Sequence, residues 1–202
     1  MPVLTQLRLD HANMARMLHV LQLKHKTLAG GERPNFQLVR EVVDFILDYM
    51  EGFTLPLERL FSERLAEVDP ESRKVTERLA ADYQGLKAQL GRLSGDIDMI
   101  LMDAVIPMDR FVDDLKAYLD AHRAYLRDER ELLFPLIREH FNEADMDRLA
   151  EALVLREDVD EAPFDGAVSR DDPIAEELVL FHSEVVRAVL HEHIKFFEAA
   201  FI

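Results

Sequence analysis

The chain has no cysteine, and only seven of its 202 residues are glycine. Without a thiol there can be no disulfide, no zinc–thiolate site and no iron–sulfur cluster. Positive charge is also in short supply: 24 Lys and Arg face 40 Asp and Glu, for a net charge of -16. Such a surface repels phosphate backbones, which argues against nucleic acid as a partner. No apolar run approaches the roughly 20 residues that span a bilayer. The N-terminal MPVLTQLRLD lacks the charged-then-apolar layout of a signal peptide. What remains is 49% apolar and 32% charged, a glycine-poor mixture that favours helices around a real core. These features predict a cytoplasmic, all-helical protein with no membrane contact.

Helical spacing organises most of the chain. Leu4, Leu7, His11, Met14, Leu18, Leu21, His25 and Leu28 alternate steps of three and four, predicting a first helix that ends at Gly30-Gly31. A second is predicted over 36–65, kinked by Pro56, which should free a backbone carbonyl about one turn earlier. Asp69 and Pro70 read as the cap and first position of a third, with a short break near Gly91 or Ser94-Gly95. A fourth starts near Pro107, runs to about Phe141 and should bend at Pro135. Its inward stripe passes through Phe111, Leu115, Tyr118, His122, Tyr125, Glu129, Leu132 and Leu136. Three polar groups in the middle of that stripe need partners, because burying them unpaired is costly.

Four long helices with short links predict an antiparallel up-down four-helix bundle over residues 1–142. Residues 143–202 read as a C-terminal helical extension: a short helix, an acidic loop, and an apolar helix capped by Asp172. That last helix is apolar on most of its circumference, which predicts packing on the bundle and on a second subunit, a homodimer.

The two helix pairs resemble each other. Asp10-His11 matches Asp82-Tyr83 at an offset of 72, while Thr54 and Glu58 match Tyr125 and Glu129 at 71. Each half then carries one polar position on its first helix and, on its second, a polar residue and a glutamate four apart. Residues four apart share a helix face and can grip one metal together.

On LRLDHANMARML, FTLPLERLFSERL and YLRDERELLFPLI, residues 4–141 resemble the hemerythrin family, specifically the bacterial HHE cation-binding domains. The resemblance implies a non-heme di-iron centre, held by a histidine on the first and third helices and a His-x-x-x-Glu on the second and fourth. His11, Glu58 and Glu129 stand at ligand positions. Thr54, Tyr83 and Tyr125 stand where the family has histidine, so three of the four signature histidines are replaced.

Two functions are compatible with this pattern. One is a binding or sensing protein with a reduced non-heme iron or manganese site at His11, Glu58, His122 and Glu129. Thr54, Tyr83 and Tyr125 would be alternative ligands or supporting donors, since tyrosinate can bind ferric iron. The other is a metal-free interaction protein, its tyrosines filling the vacated space and its apolar C-terminal helix making a dimer. No nucleophile-and-base pair, phosphate loop or zinc-protease motif is present, so no enzymatic activity is expected. His25 reads as a core histidine and His140 as a helix C-terminal one; His191 and His193, two apart, point to different faces.

Overall fold

The computed structural model describes residues 2–154, and every regular element among them is a helix. The elements are α1 (Pro2–Ala29), α2 (Phe36–Tyr49), α3 (Leu55–Val68), α4 (Arg73–Leu101), α5 (Met108–Asp128), α6 (Phe134–His140) and α7 (Glu143–Val154). Two five-residue π turns, Met50–Thr54 and Glu129–Leu133, join α2 to α3 and α5 to α6. Four rods result: α1, α2–α3, α4 and α5–α6. Each packs on the next and the last returns to the first, α1 touching both α2 and α5. This is the antiparallel bundle that the periodicity predicts, and it is of the hemerythrin type that the resemblance implies.

Local chemistry sets most of the boundaries. Gly31 adopts φ 82°, a left-handed conformation available to glycine at little cost, and the chain turns out of α1 there. Asn35 then caps α2, its side chain accepting from Leu38 N–H at 3.1 Å. The start of α4 differs from the sequence expectation. Asp69 accepts instead from Glu71 N–H at 3.2 Å, two residues on, closing a local turn before the helix. Ser72 Oγ donates to Asp69 O at 2.6 Å, and α4 begins at Arg73. Nor does α4 break at Gly91 or Ser94-Gly95. It runs unbroken, with the Arg40 guanidinium of α2 bonded to Ser94 O and Ser94 Oγ, both at 3.1 Å.

Both prolines act as predicted, by a specific device. A proline has no N–H and its ring crowds the preceding turn. Each π turn ends just before a proline, Pro56 or Pro135, and the wider turn absorbs that mismatch. In the second, Phe134 N–H reaches five residues back to Glu129 O.

The core is continuous along the bundle. Leu18, Leu21, Val43, Ile46, Leu90, Leu93, Phe111, Leu115 and Ile137 are each at most 2% exposed. The helix α7 starts on a reciprocal cap: Asn142 N–H donates to Asp145 Oδ2 at 3.1 Å, and Asp145 N–H to Asn142 Oδ1 at 3.0 Å. Buried Asp145 also pairs with Arg64 Nε of α3 at 2.9 Å. Among the described residues no helix is long and apolar enough to cross a membrane. The apolar helix expected over 172–202, its dimer contact, and His191 and His193 lie outside the described residues.

Candidate functional site

The polar cluster anticipated in the fourth predicted helix is buried and bonded. Tyr125 OH donates to Glu129 Oε1 at 3.0 Å, one turn along α5 and into the π turn. From α1, His11 Nε2 lies 2.9 Å from the other oxygen, Glu129 Oε2, and donates to the carboxylate. Glu129 is 7% exposed; one of its oxygens is bonded within its own rod and the other reaches α1. Phe134 packs against the His11 ring at a centroid distance of 5.0 Å and covers the pair on one side.

Facing this pair is a second one. Tyr83 OH of α4 donates to the main-chain oxygen of Met50, the first residue of the other π turn. Tyr83 is 1% exposed, and its ring lies 5.9 Å from that of Tyr125. The bond satisfies a carbonyl beside the proline-induced irregularity, in a place where water cannot reach it freely.

Below both sits His122, 3% exposed. Its Nδ1 shares a hydrogen with Tyr118 OH at 2.8 Å. Burial, and to a lesser degree the neighbouring His11, pushes the His122 imidazole down to about 3, so it is neutral at physiological pH. Burial likewise pushes the Tyr118 phenol up, and it stays protonated.

His11, Met50, Tyr83, His122, Tyr125 and Glu129 line one cavity of about 40 Å³, with Leu7, Asp10, Met14, Tyr49, Thr54, Phe61 and Leu126 completing the wall. That is room for roughly three waters or one small ion. His11, His122, Tyr83, Tyr125, Thr54 and Glu129, all named from the sequence, therefore share one site. Glu58 lies in α3, and its side chain is outside the described residues. Met50 and Tyr118 also belong to this constellation, although nothing in their local sequence sets them apart. Met50 reads as an ordinary core position, and Tyr118 as the apolar flank of the stripe.

A signal for Met50 was available. The backbone irregularities repeat at an offset of 79, not 71: the π turns start at Met50 and Glu129, and the prolines are Pro56 and Pro135. Leu55-Pro56-Leu57 and Phe134-Pro135-Leu136 carry that register in the sequence. In it Met50 is the counterpart of Glu129, and Ile46 that of Tyr125.

The donors present do not fit a pair of irons. Among the described residues no group of three or more His, Asp or Glu side chains is placed to hold a metal ion. Tyr83 already bonds to a backbone carbonyl, and Met50 offers only a soft thioether. The His11–Glu129 pair, with the Tyr125 phenol beside it, is compatible with one cation. Its 2.9 Å separation suits a hydrogen bond, and is also close to the roughly 3 Å between neighbouring ligands of one ion bound at about 2.1 Å.

No curated protein and no solved structure matches this chain. A family model, the hemerythrin HHE cation binding domain, matches residues 3–137. The match covers the four rods from the first turn of α1 into α6, including every described donor in the cavity, and the chain belongs to the hemerythrin HHE cation-binding domain family.

Proposed function

We propose that this protein is a binding or sensing member of its family whose cation site is reduced to a single non-heme iron or manganese ion. His11 and Glu129 are its primary ligands, Tyr125 a third donor, and Glu58 and His122 further candidates. The observation that carries this reading is the His11 Nε2–Glu129 Oε2 pair, 2.9 Å apart on the wall of the polar cavity. One imidazole and one carboxylate are a donor set for a borderline or hard ion. A bound iron would supply redox chemistry and affinity for small ligands. The protein groups hold the carboxylate in place and keep the cavity small.

Elemental analysis tests it, on protein purified without chelators or an affinity tag and again after loading with ferrous or manganous ion. About one ion per chain is expected, lost in Glu129→Ala and in His11→Ala. Two ions per chain, or none under either condition, overturns the reading.

A second reading rests on the same hydrogen bonds. His11, Tyr125, Glu129, Tyr83, His122 and Tyr118 each already have a partner within the protein. A layer so satisfied can persist without metal, leaving an interaction protein that dimerises through residues 172–202. Deleting those residues would then abolish the dimer in sedimentation and leave the metal content at zero throughout.

A further inference from the structure

The cavity is built by two halves of one repeat, and the halves are not equivalent. On one side α1 sends His11 to Glu129, the first residue of the π turn before Pro135. On the other α4 sends Tyr83 to Met50, the first residue of the π turn before Pro56. The two pairs are each other's counterparts: His11 corresponds to Tyr83 on the first rod of each half, and Glu129 to Met50 on the second. One pair joins an imidazole to a side-chain carboxylate. Its mate joins a phenol to a main-chain carbonyl, because Met50 has no carboxylate to offer.

We infer that Tyr83 and Met50 are a closed second half-site, and that these two residues restrict the cavity to the His11–Glu129 side. The inference deepens the single-cation reading and rests on it for the nature of the first half. Three features support it. Met50 is 1% exposed and lines the same cavity as Glu129, with a thioether where Glu129 presents carboxylate oxygens. The Tyr83 hydroxyl is committed to the Met50 main-chain carbonyl, so it is not available to an ion. The Tyr83 and Tyr125 rings, 5.9 Å apart, occupy the space between the halves. Met50 is then a position at which a carboxylate would open the second half.

The test converts the closed pair into a copy of the open one. Met50→Glu/Tyr83→His is compared with wild type for ferrous and manganous ion per chain, under anaerobic conditions. A control, Thr54→His/Tyr83→His, puts an imidazole four residues before Glu58 in the alternative register. The inference expects the Met50 variant to gain about one ion per chain over wild type, with no gain in the control. A gain in the control, alone or alongside, overturns it, and so does no gain in either. A carboxylate at so buried a position destabilises the metal-free chain, so each variant is refolded with and without the ion and followed by circular dichroism. Met50→His/Tyr83→His, which buries no charge, gives the same comparison if the first variant fails to fold. The count is read as a difference from wild type. A wild type that binds no ion removes the single-cation reading, while a gain in the Met50 variant still supports this one.

Discussion

The Tyr118 hydroxyl and His122 Nδ1 lie 2.8 Å apart with no exposed face between them, one turn from the Tyr125–Glu129 pair on the same rod. His122 is neutral in the fold because desolvation, aided by His11, lowers its value from 6.5 to about 3. The unfolded chain binds a proton that the folded chain does not, so stability rises with pH between those two values. The contribution is complete above about 6.5 and is lost as the pH falls toward 3, at up to about 1.4 kcal/mol per pH unit. Melting temperatures from pH 7.5 to 4 should therefore fall, and His122→Gln, which keeps a hydrogen-bonding group, should flatten the slope. An unchanged slope in the variant would show that His122 takes up its proton while still folded.

Glu129 should distinguish geometry from charge. Glu129→Ala leaves both His11 and Tyr125 without their acceptor and opens further space. Urea unfolding of metal-free protein should place it about 1–3 kcal/mol below Glu129→Gln, which retains an acceptor oxygen. Equal stability of the two variants would mean that the buried hydrogen bonds contribute little.

Asp145 fastens α7. It caps the helix, is 4% exposed and meets Arg64 Nε at 2.9 Å. Asp145→Ala should cost about 1 kcal/mol through the cap alone. Hydrogen exchange should quicken in residues 143–154 while α4 stays protected. Uniform loss of protection would make α7 part of the same cooperative unit.

Arg40 joins α2 to the C-terminal half of α4, donating to Ser94 O and Ser94 Oγ at 3.1 Å and to Asp98 Oδ1 at 2.5 Å. Its side chain is only a quarter exposed, so this is more than a surface pair, although solvent screens it. Arg40→Ala should lower stability by about 1 kcal/mol, and Arg40→Lys should recover little because one ammonium cannot hold Asp44, which Nε bonds at 2.7 Å, and the α4 groups, which Nη1 bonds, at the same time. Full recovery by lysine would reduce the contact to simple charge.

The sequence by itself determined the helical bundle, the two proline irregularities and most of the cavity's polar lining. Those features are written in local terms. Steps of three and four put His11, Tyr83, His122, Tyr125 and Glu129 on inward faces, and a proline always removes a donor from the turn before it. The reach of each polar group was decided only by the tertiary structure. Asp69 has the chemistry of a helix cap but turns its side chain to Glu71 N–H, and the start of α4 moves to Arg73. The repeat is likewise set by the π turns, which insert a residue and rotate everything beyond them relative to the straight-helix count. Met50 opens one π turn as Glu129 opens the other, and only the packing of α4 on the α2–α3 rod shows that Tyr83 bonds the Met50 carbonyl. A hydrogen bond between rods depends on where two backbones pass each other, and no spacing within either helix records that distance.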